Sequence, residues 1–271
     1  MIYPSASKGS RTALHVCLSF LVLTSAVALR SDSGLAQQDQ QVQIEKAKIF
    51  QDAYPVISET DLNCTPFILD GDLPDLRIAA AERGEEKILL SDADVVYLNK
   101  GKKDGLEIGQ IFMAVEVSAR LKEFGYLAQR RGRVQVTFLE ENRAVARIDK
   151  ACGRVMVGNI LMPFEEKEGM LGKDLGIESY SNIGSGPEGS IIYLQDDFNE
   201  IGSHHWAIID LGKEQGLQVG QQMLIFRRVR PDMPRNVLGS LIVIDTQSKT
   251  STVKILSAND AIRIGYQVQG R

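Results

Sequence analysis

The sequence predicts an all-β protein built from two tandem small antiparallel β-barrels, preceded by a short helical or extended segment. Three observations carry this. The phrase LNKGKKDGLEIGQ (98–110) returns as IDLGKEQGLQVGQ (209–221) with its glycines in register. A second block, running from Gly132 to Gly158, returns between Gly239 and Gly265. Within both copies the apolar residues fall in short, β-branched, alternating runs bounded by turn residues, the signature of strands with one face in and one face out.

The 271 residues suffice for one large domain or two small ones with real cores. The formal charge is -4, so no net basic excess drives the chain onto nucleic acid or anionic membranes. Residues 1–36 have the grammar of a cleaved secretory signal: a basic start (Lys8, Arg11), the apolar run ALHVCLSFLVLTSAVAL (13–29), and GLA before a polar run. The apolar run is slightly short for a membrane span, so the mature chain is expected to begin after Ala36 with no integral membrane span. Export to the periplasm or beyond is the expected destination. Removal of Lys8, Arg11, Arg30 and Asp32 leaves a formal charge of -6. Two cysteines then remain, Cys64 and Cys152; an oxidising compartment allows them to pair, and two buried thiols is the alternative.

From 37 to 72 the chain reads as a helical and extended segment. QVQIEKAKIFQDAYPVI (41–57) begins as a helix that must stop before Pro55. CTPFILDGDLPDLRIAAAE (64–82) reads as extended pieces around a DGD turn. The first barrel occupies 73–165, a Gly/Ser-rich linker with an exposed hinge 166–190, and the second barrel 191–271. Gly101, Gly105 and Gly109 lie 111 residues before Gly212, Gly216 and Gly220. Past the variable stretch SARLKEFGYLAQRR (118–131) the offset is 107, so copy one holds four extra residues there. A length change confined to a polar loop is what a duplicated domain shows. In each corner a strand ends at a glycine, the chain turns to a second glycine that supplies positive φ, and Leu106 or Leu217 plugs the barrel end. EEN (140–142) and TQSK (246–249) are the hairpin loops that follow.

Chemistry is harder to find. GSGPEG (184–189) fits the dinucleotide pattern by letter, but Pro187 sits inside it and the β-like IIYL follows instead of a helix, so no cofactor is expected. His204 and His205 are adjacent, and on a strand they would point to opposite faces, a poor chelating pair. Neither they nor the cysteines have zinc spacing, so no metal is expected. Glu140–Glu141 and Asp196–Asp197 occupy turns, where solvated charge is the ordinary reading. A hydrolase site between the barrels, using Asp196 or Asp210 with His205, is the enzymatic alternative; no G-x-S-x-G elbow supports it. Arg130, Arg131 and Arg133 in copy one, with Arg227, Arg228 and Arg230 in copy two, offer a rim for envelope anions, with plain surface solubility as the other reading.

The run DLNCTPFI, then VVYLNKGKKDGLEIGQ, a GRVQV hairpin and VGNILMPF resembles the tail region of secreted bacterial proteins that carry a LysM peptidoglycan-binding module. The G-x-x-x-G-L-x-x-G corner is also similar to the carboxy-terminal barrel of the flagellar assembly protein T family, an SH3-like periplasmic fold. The resemblance covers most of 61–163 and again 205–269. It implies SH3-like barrels, a Gram-negative-type envelope setting and a scaffold role. No LysM segment precedes residue 61, so no glycan-binding residue carries over. The expected function is a non-catalytic envelope protein that binds a cell-wall glycan or an envelope protein, or a subunit of an envelope or flagellar-type assembly.

Overall fold

The computed structural model describes residues 53–271 apart from 85–86, 122, 178–185 and 231. The proposed signal peptide, most of the 41–57 helix expectation and part of the GSGPEG motif lie outside the described residues. In the second half, β10 (Glu188–Leu194), β11 (Trp206–Ile209), β12 (Gln222–Arg227), β13 (Asn236–Thr246), β14 (Ser251–Ala258) and β15 (Gln267–Gly270) close into a barrel. Its strand order is β10-β11-β14-β13-β12-β15, antiparallel throughout. Closure leaves no unpaired edge and encloses Ile191, Leu217, Ile225, Val243, Ile255 and Val268.

The first half repeats this order. β3 (Ile78–Ala81), β4 (Val95–Leu98), β5 (Ile111–Leu121), β6 (Gly125–Leu139), β7 (Ala144–Ala151) and β8 (Ile160–Pro163) pair as β3-β4-β7-β6-β5-β8. A seventh strand, β2 (Pro66–Leu69), adds to β6. The outer strands meet through an isolated bridge between Arg77 and Ile160, with the Ile78 N–H donating to the Asn159 carbonyl at 3.0 Å. The duplication extends to register. Val95 faces Arg147 as Trp206 faces Lys254, and Tyr97 faces Val145 as Ile208 faces Thr252. Bulges at Arg133/Val134 and Val136/Phe138 recur at Ser240/Leu241 and Val243/Asp245.

The glycine corners have the same construction in both copies. Each runs through a 3-10 turn, Lys102–Asp104 or Lys213–Gln215. The turn ends at a left-handed glycine, Gly105 at φ 86° and Gly216 at φ 80°. Leu106 and Leu217 are buried behind it. Gly101 and Gly212 serve differently: their φ values are ordinary, but a Cβ there would collide with the backbone of the β6–β7 or β13–β14 hairpin loop. Those loops dock on the corner, the Lys102 N–H donating to the Glu140 carbonyl and the Lys213 N–H to the Gln247 carbonyl, both at 2.9 Å. Gly109 and Gly220 donate to the Val136 and Val243 carbonyls at 2.8 Å.

The amino-terminal segment departs from expectation. Residues 54–57 are a strand, β1 (Tyr54–Ile57), and the short helix lies after Pro55, as α1 (Glu59–Asn63). Its start is set by a capping box: the Ser58 side chain accepts from the Asp61 N–H, and the Asp61 carboxylate accepts from the Ser58 N–H. The connector is paired rather than free where it is described: β9 (Met170–Gly172) pairs with β1, and the Leu175 N–H donates to Gln222 Oε1 at 3.0 Å. The four extra residues of copy one lengthen the β5–β6 hairpin into an arm, on which β2 adds as a strand. Cys64 and Cys152 form a disulfide across 88 residues, fastening the end of α1 to the end of β7. The alternating exposure expected of SLIVI fails in β13, where 237–244 are buried on both faces because β1 and α1 cover the outer one.

Two outcomes follow in thermal and denaturant unfolding. Gly105→Val and Gly216→Val should each cost about 1 kcal/mol or more from backbone strain alone, while Gly101→Ala and Gly212→Ala should cost more, since backbone cannot retreat. Equal or unchanged melting across the four variants would contradict this. Cys64→Ser/Cys152→Ser should lose up to about 4.6 kcal/mol by loop-entropy arithmetic for so long a loop.

Candidate binding cleft

The segment 54–69 lies between the two sheets, and its residues are chosen for that position. Val56, Ile57 and Leu62 pack on Ile242, Ile244 and Leu256 of the barrel's outer face. Ile68 of β2 and Leu127 of the β6 arm pack on Tyr193 and Ile208. Each such apolar side chain buried contributes about 1.5–3 kcal/mol. The Thr252 hydroxyl donates to the Pro66 carbonyl at 2.7 Å.

One carboxylate organises the polar side of this contact. Asp61 is 3% exposed and accepts from Ser58, from Trp206 Nε1 at 2.8 Å and from Lys254 Nζ at 2.7 Å. Burial pushes its carboxyl up, but the Lys254 ammonium and the Ser58 and Trp206 donors outweigh that and hold it below the usual carboxylate range. Ser58 and Asp61 form the cap pattern S-x-x-D, a helix-start signal in the sequence; Lys254 and Trp206 carried none.

A second buried ion pair forms the floor of a cleft of about 440 Å³. Arg130 on β6 reaches Asp245 on β13, stacks over the Phe67 ring at 4.3 Å and donates to Thr65 Oγ1 at 3.0 Å. Lys167 adds a second cation to Asp245 at 3.1 Å. Burial pushes the Asp245 carboxyl up, and the Arg130 and Lys167 charges overcome it, so it stays below its ordinary value. The cleft walls are apolar, with Phe67, Met113, Met162 and Phe164, and its mouth carries Asp70, Glu165 and Lys213. Gln247 lines it too, and its buried Oε1 has no hydrogen-bond partner among the described residues. The lining is thus mixed, apolar on one side and polar or charged on the other, and the volume lies in the range of small-ligand sites.

The arginines singled out from sequence do not share one setting: those of copy one are paired, while Arg228 and Arg230 of copy two are exposed. Arg130 is 9% exposed and faces inward. Arg131 pairs with Glu116 at 2.7 Å, Arg133 with Asp149 at 2.6 Å, Arg227 with Asp260 at 3.2 Å and Arg230 with Asp232 at 3.4 Å. Arg228 is exposed. The reason is register: each strand arginine finds a carboxylate across the sheet or in the neighbouring loop, a pairing that local sequence does not show. His205 and Asp210 flank β11 at opposite ends, about 16 Å apart at ordinary strand rise. His205 Nδ1 lies 3.2 Å from the Ser203 carbonyl oxygen, and Asp210 accepts from the Ser190 N–H at 2.5 Å. Asp196 and Asp197 are exposed in a 3-10 turn, as are Glu140 and Glu141 in their hairpin loop. Among the described residues no three His, Cys, Asp or Glu side chains are grouped to hold a metal ion, and no helix is long and apolar enough to cross a membrane. The strand Glu188–Leu194 follows Gly186 and Pro187 where a dinucleotide fold needs a helix.

Asp61 supplies a pH-dependent share of stability. Its folded pKa is depressed, so the contribution is present above the unfolded value near 3.9 and is lost as pH falls through the folded one. Asp61→Asn should cost about 3 kcal/mol at pH 7, because Lys254 is left buried without its partner. It should also flatten the loss of stability below about pH 4. Chemical denaturation at pH 7 and pH 3 measures both; a variant with the parent's pH profile would show that Asp61 is not the group.

Compared with known proteins, the chain matches no protein-family model, and no curated protein is significantly similar to it.

Proposed function

We propose that this is an exported, non-catalytic cell-envelope protein in which two tandem SH3-like barrels, locked by the segment 54–69, bind peptidoglycan or an envelope protein. The observation that carries the reading is the Cys64–Cys152 disulfide. Disulfides persist in oxidising compartments such as the periplasm and are rare in the cytosol. The shared strand order and bulge positions of the two sheets support the tandem-barrel architecture. The chemistry of the described charged residues is that of a scaffold, since Asp61, Asp245, Arg130 and Lys254 are spent on holding the parts together.

The cleft is the ligand site in this reading. Its apolar walls suit the methyl groups of a wall stem peptide, and Lys213, Asp70 and Glu165 at its mouth suit that peptide's carboxylates and amines. A hydrolase reading has less support, because His205 and Asp210 lie apart and each is hydrogen-bonded to main chain.

Co-sedimentation of the protein with purified peptidoglycan sacculi across a salt series tests this. Retention should survive moderate salt and fall at least tenfold in Phe164→Asp, a partly buried cleft-wall residue, with melting preserved. Retention lost at low salt would reduce it to charge attraction. No retention would remove the wall as ligand and leave an envelope protein as the partner.

A further inference from the structure

The duplication makes an internal comparison possible. On the outer face of the barrel, the row Tyr193–Ile208–Thr252–Asp245 runs across β10, β11, β14 and β13. Beside it Lys254 stands next to Trp206. This face is fully used: Ile68 packs on Tyr193 and Ile208, Pro66 takes the Thr252 hydroxyl, Arg130 takes Asp245, and Asp61 takes Lys254. The occupant is the stretch 61–69, the end of helix α1 followed by strand β2, with a carboxylate on the helix and apolar side chains on the strand.

Among the described residues, no strap covers the equivalent face of copy one. Register places Ala80, Tyr97, Val145 and Phe138 in the same row across β3, β4, β7 and β6. Tyr97 is 39% exposed where its counterpart Ile208 is 0% exposed, and Phe138 is 54% exposed where its counterpart Asp245 is covered by Arg130. The differences all favour apolar cover. Val145 stands for Thr252, Phe138 for Asp245, and small Ala80 for Tyr193, which opens a depression of about 370 Å³ against Tyr97. One polar feature is kept: Arg147 occupies the position of Lys254, the residue that receives the strap's carboxylate, and it is exposed. Arg143 and Glu140 lie at the edge of the same depression, and Asp92 and Asp149 line a neighbouring hollow with Arg147.

We infer that the outer face of copy one docks a short helix-then-strand segment of a partner protein, with an acidic residue of the helix set on Arg147 and apolar side chains of the strand laid along Tyr97, Val145 and Phe138. The mode is the one this chain uses on itself in copy two. Charge complementarity at Arg147 and the apolar row together specify the segment. This inference rests on the binding reading above and names a second surface for it, remote in register from the cleft-lining residues of β5 and β8.

The test uses a labelled peptide of residues 59–70 carrying Cys64→Ser as the probe, with fluorescence anisotropy as the readout. Saturable binding is expected, weakened at least tenfold by Arg147→Glu, by Tyr97→Asp, and by Asp61→Lys in the peptide. Both protein variants sit on the exposed face, and unchanged melting will show that they fold. No saturable binding would overturn the inference. So would binding indifferent to Arg147 and Tyr97, since the peptide would then be exchanging with the chain's own strap in copy two. Sedimentation equilibrium separates one further occupant: dimerisation abolished by Tyr97→Asp would mean that a second copy covers this face, and the partner assignment would fall. Failure of the peptide with sacculus retention intact would sink this inference alone; peptide binding without sacculus retention would sink the wall reading alone.

Discussion

The buried Asp61 carboxylate is the point on which the two halves of this protein depend. It closes the capping box of α1, and it is also the anchor of that helix on the barrel through Trp206 and Lys254. A carboxylate so far from water is tolerated only when its lone pairs are filled by donors and its charge is answered by a cation. Both conditions are met by residues from opposite ends of the described chain. Once Asp61 is seated, Val56, Ile57 and Leu62 are held against the barrel, and Cys64 is carried to Cys152. The disulfide, the β2 strand and the Arg130–Asp245 pair then follow within a few residues of one another.

Duplication explains why such a strap exists. Two copies of a small sheet with the same order and bulges share their interior logic, but their outer faces have diverged. In copy two the outer residues of β13 are apolar and must be covered. In copy one the four extra residues extend the β5–β6 hairpin into an arm that, with β2, covers Tyr193 and Ile208 on the neighbouring strands β10 and β11. A length change in a surface loop has thereby become the means of joining the copies, where the usual expectation is that such changes are neutral.

The charged residues show where reading the chain reaches its limit. Arg130, Arg131 and Arg133 look alike along the sequence, three cations in four positions beside a loop. In the fold they have three unrelated fates: Arg130 turns inward to Asp245, Arg131 bonds Glu116, and Arg133 bonds Asp149. Alternation distinguishes the faces of a strand but does not say what stands opposite each face. That depends on a partner more than a hundred residues away, as with Arg130 and Asp245, and on which sheet ends up against which. The cleft has the same origin, since its walls come from α1, β2, β5, β8 and the β13–β14 loop.

The sequence by itself determined the local geometry. Positive φ at Gly105 and Gly216, the buried plugs Leu106 and Leu217, and the hairpin loops at 140–142 and 246–249 were all legible, because they follow from glycine, apolar and turn residues within a few positions, whereas the close approach at Gly101 and Gly212 comes from hairpin loops far along the chain. The repeat offsets were legible too, and the strand registers obey them. Only the tertiary structure decided that the Pro55 region is a strand, that the Cys64 and Cys152 thiols meet, and that one outer face is covered while its counterpart has no such cover among the described residues. These depend on which surfaces come together to exclude water, a property of the assembled sheets and of no single segment.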